Sequence, residues 1–503
     1  MQKKTKISIL IAQVFVLLIS LILYVIARTY FLYHVRFSLF EEIFAIFFLL
    51  AETFLLIHSF AFFIDLVNNT LSHKLPQQKE PVSDVWVAVL VPARHEPKKV
   101  VENTLLTCLN MAYKNKTVYL LDDSSIESFK QEARELSEAL GVTLFTRPNN
   151  RGAKAGLIND FMATMTEKYI AVFDADQNPM PQFLNHILPF LEGDDRLAFV
   201  QTPQFYTNTN KSASPVAHVS NVQQAVFFEY VCEGKSSNES MFCCGTNVVI
   251  RRSALEDVGG YDEETVTEDI STSMNMHRKH WKSLYYNKTY TFGMAPEDLG
   301  SYFKQQSRWA MGTFQLLRKL IFLFFTNITA LRPIQWFEYA LSSSYYLIGL
   351  ADLFMITGPI LYIFFNIPLY FMSPEVYVLT FIPYFMLSFS VYYVSMKKKK
   401  YSLLDIFKVQ MLSMITLPIY LWSAFLVLFN IKKGFQITPK GGSRRVPLRT
   451  LWPQFLLLVI HLSAMTWGML RLYYDPSVAL GMNVFWVALH TGMFSGIVYF
   501  NKG

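Results

Sequence analysis

The sequence has few cysteines and few charges for its length. Among 503 residues, four are cysteines, 17% are charged and 52% are hydrophobic. So few cysteines exclude a disulfide-stapled secreted scaffold, and an adjacent pair has no metal-ligand spacing, so we expect reduced thiols in the cytosol. The low share of charge excludes an ordinary soluble enzyme and favours a membrane protein with a polar insert. The cysteines are Cys108, Cys232, Cys243 and Cys244.

A glycine-rich phosphate loop is also missing. None follows any predicted strand, which excludes both the P-loop and the dinucleotide-binding fingerprint. The net charge of +7 would suit a nucleic-acid-binding protein. The basic residues, however, cluster beside apolar runs, as at residues 3–6 and 397–400, which is the pattern of cytosolic flanks of membrane spans. We therefore expect a lipid bilayer as a partner and no nucleic acid.

Apolar runs lie on both sides of a long polar region. Six of them are predicted to span the membrane. The run 403–429 contains Asp405, Lys408 and Pro418 and has basic residues at both ends, which predicts an interfacial or re-entrant helix. The first run is long and lacks a small-residue cleavage site, so we expect it to remain as a helix. The runs are 7–27, 43–64, 337–365, 376–394, 403–429, 455–470 and 480–500.

Residues 84–300 show a different pattern, in which short apolar runs alternate with helical periodicity. This pattern predicts buried parallel strands in an α/β domain. Asp122 and Asp123 follow one strand, Asp174 and Asp176 follow another, and ligands bind at that carboxyl edge of such sheets. Asp174 and Asp176 would share one side and bind a divalent cation together with a diphosphate. Taken alone, each acidic pair is also common in solvated or capping turns. The clearest strand runs are 85–92, 117–121 and 169–173.

An acidic turn opens the next predicted helix, which continues to residue 277. Thr267 is a good helix N-cap, so Glu268 and Asp269 would lie in the first turn. There the helix dipole favours ionised carboxylates. Taken alone, this turn would be an ordinary helix start.

A mixed polar and aromatic helix face is predicted just before the second group of apolar runs. Gln305, Arg308 and Trp309 are spaced i, i+3 and i+4, which places them on one face of a helix. Arg308 can bind a pyrophosphate with bidentate hydrogen bonds, and Trp309 offers a flat apolar platform to a sugar ring. This face suits a sugar nucleotide, whereas the alternative is an amphipathic surface helix.

In combination, these motifs resemble the membrane-integrated, processive family-2 glycosyltransferases of the cellulose synthase group. The resemblance extends over about residues 84–442 and implies a glycosyltransferase A-type fold. The matching residues are Asp122-Asp123, Lys154 within residues 152–156, Asp174-Ala175-Asp176, Gln201-Thr202-Pro203, residues 242–246, Thr267-Glu268-Asp269, Gln305-x-x-Arg308-Trp309 and residues 435–440.

The resemblance also implies a role for each motif. Asp269 would be the general base, within the catalytic turn of Thr267 and Glu268. The donor nucleotide would be bound by Asp122, Asp123, Lys154, Asp174, Asp176, Gln305 and Arg308, with Mg²⁺ or Mn²⁺ on Asp174 and Asp176. The acceptor sugar would lie against Trp309, Gln201, Phe242, Cys243, Cys244, Gly245 and Thr246. A gating loop over the nucleotide would include Phe435, Thr438 and Lys440.

The implied architecture is an α/β glycosyltransferase domain inserted in a bundle of about six transmembrane helices with interfacial helices. The expected order is two transmembrane helices, a cytosolic glycosyltransferase domain, interfacial helices with the Gln305 motif, two transmembrane helices, an interfacial helix with the gating loop, and two final transmembrane helices. The corresponding ranges are 1–83, 84–300, 301–332, 333–396, 397–450 and 451–503.

The function implied is processive, inverting polymerisation of a UDP-sugar, most simply UDP-glucose, into a β-linked polysaccharide exported through the protein's own channel. Alternatives are a polymerase using UDP-GlcNAc, a non-processive enzyme that loads a lipid carrier, and, from another class, a transporter with a nucleotide-sensing domain. A non-catalytic scaffold is disfavoured because no motif acid has been lost. Expected partners are the UDP-sugar, the growing chain, the bilayer, and a second copy or an export protein. We expect no cyclic-di-GMP-binding domain.

Overall fold

The computed structural model describes residues 2–34, 38–72, 84–210, 214–368, 374–398, 401–431 and 444–502. Ten strands and eighteen α-helices are found in these ranges. The strands are β1 (Val87–Ala93), β2 (Lys116–Asp122), β3 (Thr143–Thr146), β4 (Tyr169–Val172), β5 (Asn178–Pro179), β6 (Leu197–Gln201), β7 (Phe205–Tyr206), β8 (Val248–Arg251), β9 (Lys282–Tyr285) and β10 (Thr291–Gly293).

Helices form both the flanks of the sheet and the apolar parts of the chain. They are α1 (Gln2–His34), α2 (Leu39–Ser72), α3 (Lys98–Leu109), α4 (Glu127–Leu140), α5 (Ala153–Met162), α6 (Phe183–Gly193), α7 (Pro215–Val226), α8 (Cys232–Ser237), α9 (Arg252–Asp257), α10 (Glu268–Arg278), α11 (Leu299–Thr326), α12 (Pro333–Ser344), α13 (Ile348–Phe365), α14 (Pro374–Lys398), α15 (Leu403–Leu428), α16 (Trp452–Tyr474), α17 (Val478–Phe494) and α18 (Gly496–Phe500). A π-helical turn, Phe227–Val231, separates α7 from α8.

The large sheet is mostly parallel, as predicted. Its order is β3-β2-β1-β4-β8-β6-β9, and β8 alone in it runs antiparallel to its neighbours β4 and β6. Strand β1 pairs in parallel with β2 and with β4, so the residues that follow β2 and β4 emerge at one edge. Because β8 runs the opposite way, the residues that precede it start at that same edge. A small second sheet has the order β5-β10-β7.

Both faces of the sheet are covered by helices, which explains why β1 is apolar throughout. Val87, Val89 and Val91 belong to the core that includes side chains of α3 and α6. Ala88 and Leu90 belong to the opposite core, with side chains of α5 and α9. All five side chains are fully buried. A strand covered on both faces needs a continuous apolar run rather than an alternating one.

Seven helical segments within the described residues are long and apolar enough to cross a membrane, and the chain is a multi-pass membrane protein. Residues 403–428 are among these segments, which are identified by length and composition alone. The interfacial placement of that run therefore stays a prediction. The segments are Ile11–His34, Leu39–Val67, Pro333–Phe365, Glu375–Met396, Leu403–Leu428, Leu448–Tyr474 and Val478–Phe500.

Polar side chains join the α/β domain to helix α15. The Ser307 and Ser423 hydroxyls are hydrogen-bonded at 2.9 Å. Nε2 of His218 lies 3.1 Å from Oδ1 of Asp405, and Gln223 donates to the Ser413 hydroxyl at 3.3 Å. Helix α15 is therefore held against both α7 and α11.

Candidate active site

Lys154 joins three of the predicted motifs. It lies in the first turn of α5, which begins after Gly152 in a left-handed conformation (φ 64°). Its ammonium donates to Oδ1 of Asp174 at 2.5 Å and to the Gly245 carbonyl at 2.6 Å. Burial lowers the pKa of Lys154, but the surrounding carboxylates, Asp174 foremost, outweigh this effect and the net shift is upward. Lys154 is therefore held as a cation among the acidic motifs.

Asp174 and Asp176 follow β4, where a divalent cation was predicted. The Asp174 backbone N–H donates to the Thr246 hydroxyl at 2.9 Å, and Asp176 is 7% exposed. In the part of the chain that the structure describes, no group of three or more His, Cys, Asp or Glu side chains forms a metal cage. Two carboxylates fit Mg²⁺ or Mn²⁺, because such cations are commonly bound by one or two carboxylates together with substrate phosphates.

Asp122 and Asp123 occupy the end of β2 and have different partners. Oδ1 of Asp122 accepts the Ser124 N–H at 3.2 Å, and burial raises the pKa of Asp122. Both oxygens of Asp123 are bound by Arg147, at 2.8 Å from Nε and 3.1 Å from the terminal nitrogen. Sequence reasoning missed Arg147. Its position just after β3, which pairs with β2, is a signal that places it at the same edge.

Thr267 takes the N-cap position of α10, but its side chain does not cap the helix. The prediction of a capping hydroxyl is therefore wrong: Oγ1 is buried and has no hydrogen-bond partner. The physical reason is the close packing of α11. A Cβ added at Gly312 would lie 2.4 Å from Cγ2 of Thr267, so the side chain is fixed by this contact rather than by the helix N–H groups. Glu268 and Asp269 do lie in the first turn, as predicted.

Asp269 lies over the loop that precedes β8. A Cβ added at Gly245, whose φ is +77°, would be 3.0 Å from Oδ2 of Asp269. Oδ1 accepts the Ile270 N–H at 2.9 Å. Burial, and next to it the charge of Glu268, raises the pKa of Asp269 to about 7. Burial also raises the pKa of Glu268. A carboxylate with such a pKa can accept a proton near neutral pH.

The predicted acceptor loop, residues 242–246, is anchored through its backbone. Gln201 is fully buried, its Oε1 accepts the Cys244 N–H at 2.8 Å, and its amide nitrogen donates to the Thr246 carbonyl at 2.8 Å. The Cys243 N–H donates to the Ser273 hydroxyl at 2.8 Å. Gln201 thus supports the loop, and its predicted contact with the acceptor stays a prediction.

The side chains of this loop are largely enclosed. The Phe242 ring stacks on Phe227 with centroids 6.0 Å apart. Burial raises the pKa of the Cys243 thiol. The Cys244 thiol, which hydrogen-bonds to Cys232, also has a raised pKa. Both cysteines are free thiols in the structure. Because the pKa of each thiol is raised, neither is activated as a thiolate.

Gln305, Arg308 and Trp309 all lie on α11, as the spacing predicts. Oε1 of Gln305 is buried without a hydrogen-bond partner. Arg308 is close enough to favour the ionised form of Glu268. Trp309 packs against a cluster that includes Phe314, Tyr346 and Tyr420. Their assigned roles in binding remain predictions, as do those of Phe435, Thr438 and Lys440, which lie outside the described residues.

Comparison with known proteins agrees with this geometry. Residues 84–312 match the family described as "Glycosyltransferase like family 2", and residues 256–411 match the family "Cellulose synthase". A mannosyltransferase from Pyrobaculum calidifontis, solved with GDP-Man and Mn²⁺, is 16% identical with a TM-score of 0.54 and covers 77% of this chain and 100% of that one. At this identity the likeness concerns the fold alone.

Two curated relatives are cellulose synthase catalytic subunits described as UDP-forming. That of Pseudomonas fluorescens (strain SBW25) is 28% identical over 81% of this chain and 55% of its own length. That of Xanthomonas axonopodis pv. citri (strain 306) is 31% identical over 51% of this chain and 36% of its own length. The chain therefore spans about half, or less, of the length of these relatives. The predicted resemblance is confirmed: the chain is similar to family-2 glycosyltransferases and to the catalytic subunits of cellulose synthases.

Proposed function

We propose that this protein polymerises a UDP-sugar, UDP-glucose in the first instance, into a β-linked polysaccharide and passes the product through its own membrane helices. One observation supports this proposal above others. The Lys154 ammonium contacts both Asp174 and the Gly245 carbonyl, and Gly245 lies directly beneath Asp269. The residues proposed to bind the nucleotide diphosphate, to bind the acceptor and to transfer the proton thus lie together.

The donor half of the site is built around balanced charge. Asp122 and Asp123 would bind the uridine, and Lys154 and Arg308 would bind the diphosphate. Asp174 and Asp176 would hold Mg²⁺ or Mn²⁺, which when bound would neutralise part of the diphosphate charge. Relatives described as UDP-forming and a Mn²⁺-containing structure of the same fold support the donor class and a divalent cation.

Asp269 would act as the general base. Its carboxylate takes the proton of an acceptor hydroxyl while that oxygen forms a bond to the anomeric carbon of the donor sugar. The bond from the same carbon to the diphosphate oxygen breaks, and UDP leaves with the electron pair. Arg308 and Lys154 stabilise the negative charge that develops on the diphosphate. A single displacement inverts the anomeric centre, so an α-linked donor gives a β-linkage.

Repeated transfer requires that the chain remains bound after each step. Trp309 would supply an apolar platform for the terminal sugar beside the acceptor loop. Helix α11, which contains Trp309, packs on α15 through the Ser307–Ser423 contact. The site is therefore adjacent to the membrane helices, and this position favours direct entry of the product into a channel between them.

We propose that the glycosyltransferase domain lies in the cytosol, where UDP-sugars are made. The last two turns of α11 expose Phe322 and Phe325 by 71% and 82%, which suits a helix lying in the membrane interface. A single cysteine at the exposed Glu138 should react with an impermeant thiol reagent only from the cytosolic side. Reaction from the outside would reverse the topology.

The function is tested by giving purified protein UDP-glucose, UDP-GlcNAc or UDP-glucuronate separately, each with Mg²⁺ or Mn²⁺. We expect UDP release and a long β-linked polymer with UDP-glucose, identified by linkage analysis. Asp269→Asn protein, prepared identically, is the control for contaminating activity. Transfer of one sugar to lipid without polymer would replace this proposal by a lipid-carrier enzyme, and a polymer from UDP-GlcNAc alone would correct the sugar.

A further inference from the structure

Residues 262–268, which lead into the catalytic helix α10, are held by one face of helix α11. A Cβ at Gly312 would meet Thr267, as described above, so the two backbones approach as closely as glycine permits. One turn further, Oε1 of Gln315 accepts the Val266 N–H at 2.9 Å. Next, the Lys319 ammonium lies 2.7 Å from Oδ2 of Asp262.

These α11 residues follow Arg308 at helical spacing. Positions 308, 312, 315 and 319 are related by steps of four, three and four residues, so they lie along one side of the helix. The side of α11 that bears Arg308, the proposed diphosphate ligand, therefore also contacts the segment before Asp269. A single helix, α11, would therefore position the residues proposed for proton acceptance and those proposed for stabilising the diphosphate.

Asp262 transmits this contact to the first turn of α10. Its carboxylate is bound by Lys319, by the Ser271 hydroxyl and by the Glu264 N–H at 2.8 Å. Its own N–H donates to the Thr272 hydroxyl at 2.9 Å, and that hydroxyl donates to the Glu268 carbonyl at 2.6 Å. The Asp262 side chain is 7% exposed. A buried carboxylate with these partners fixes the turn rather than contacting solvent.

We propose that Asp262 and Lys319 are positioning residues that hold the Thr267–Asp269 turn against α11 and thereby keep the Asp269 carboxylate in register with Arg308. The inference rests on the proposed function for the role of Asp269. Neither Asp262 nor Lys319 is assigned a contact with the substrate in this proposal. Their loss should impair turnover while leaving nucleotide binding in place, because the donor residues on β2, β4 and α5 are held by other contacts.

The test compares Lys319→Met, which removes the ammonium and keeps an apolar stem, with Lys319→Arg, which retains the charge. Lys282→Met is the matched control, because Lys282 pairs with Asp194 at 2.8 Å elsewhere in the same domain. For Lys319→Met we expect amide exchange in peptides covering residues 262–275 to rise at least about tenfold, since the turn loses an anchor. We expect kcat to fall at least about tenfold with the Kd for UDP within about twofold of the parent. Lys319→Arg should restore both.

Gln315→Leu and Gln315→Glu provide an independent pair if Lys319→Met protein is not monodisperse. The leucine variant loses the acceptor for the Val266 N–H, whereas the glutamate variant keeps it. Parent-like exchange and turnover in both Lys319→Met and Gln315→Leu would overturn the proposal, as would equal changes in Lys282→Met. Absence of turnover in the parent with every UDP-sugar would instead refute the proposed function. The amide-exchange measurement would still show whether Lys319 and Gln315 anchor residues 262–268 to α11.

Discussion

Gly245 and Asp269 are in such close contact that a methyl group on the glycine would lie 3.0 Å from the carboxylate. The φ of Gly245, +77°, is also one that side-chain-bearing residues rarely adopt. Both facts follow from a single requirement. The loop before β8 must pass directly under the proposed base, which leaves the Gly245 carbonyl available to Lys154.

Gly245→Ala should therefore reduce polymer synthesis by at least about 10²-fold, because small displacements of a general base have effects of that size. UDP affinity should change little. Gly141→Ala is the matched control, since Gly141 has a similar φ of +65° and nothing within 4 Å of an added Cβ. Initial rates and UDP binding should be measured on both. Similar losses in the two variants would assign the effect to backbone strain instead of crowding at Asp269.

Asp269→Asn should cut turnover by at least about 10²-fold, because an amide cannot take the acceptor proton. Affinity for UDP should remain near that of the parent. The measurement is UDP release together with calorimetric binding of UDP. Substantial polymer formation by this variant would remove Asp269 from the mechanism.

Polymer synthesis should rise with pH through about 7 and then level off. The pKa of Asp269 is raised to about 7, and only the deprotonated carboxylate can act as a base. Glu268 contributes to that shift through its negative charge, so Glu268→Gln should move the rising limb to lower pH. Rates measured from pH 5.5 to about 8.5 at saturating UDP-sugar test the direction. If the pH at which the rate rises is unchanged or higher in Glu268→Gln, this pH dependence does not report the ionisation of Asp269.

Arg147→Met should lower the thermal midpoint and weaken UDP binding. The Arg147 and Asp123 side chains are 3% and 4% exposed, so the variant leaves a buried carboxylate without its bidentate partner. Removing one member of such a pair costs about 3–5 kcal/mol. Arg134→Met is the control, because the Arg134–Glu127 pair is largely exposed and such pairs contribute about 0–1 kcal/mol. Equal midpoints in the two variants would show that Arg147 is not an anchor of the uridine site.

Trp309→Ala should reduce chain elongation about five- to tenfold, as expected for loss of an aromatic platform of roughly 1 kcal/mol. Hydrolysis of the UDP-sugar to UDP and free sugar should fall less, because the donor site remains. Polymer length and UDP release should be measured on the same preparation. Trp281→Ala, at a half-buried tryptophan stacked by Arg196, serves as the control. Equal loss of both activities at Trp309 would identify it as a packing residue.

Sequence patterns predicted those parts of the molecule that depend on local signals. The continuous apolar runs of β1 and β4 predicted buried strands, and the acids placed after β2 and β4 predicted their common edge. The spacing of Gln305, Arg308 and Trp309 predicted one helix. Such signals reside in neighbouring residues and need no knowledge of the tertiary fold.

Contacts between distant segments could not be predicted in this way. Arg147 looks like an ordinary loop residue until β3 is placed beside β2. Thr267 has the residue type and position of an N-cap. The orientation of its side chain, however, is fixed by the close approach of Gly312, which lies 45 residues later in the sequence. Gln201 has a polar side chain that could bind a ligand. Only the path of residues 242–246 shows that its amide is hydrogen-bonded to the backbone of that loop. In each case the deciding partner lies far away in the sequence.

The antiparallel strand β8 has a consequence for how substrates enter and leave. Its pairing with β4 is extended by a backbone hydrogen bond from Asn247 to Val172 at 2.9 Å, immediately beside Asp174 and the acceptor loop. The proposed donor and acceptor residues are thus joined through one hydrogen-bonded sheet. We therefore expect exchange of UDP for a fresh donor to depend on movement of a part of the chain outside this sheet.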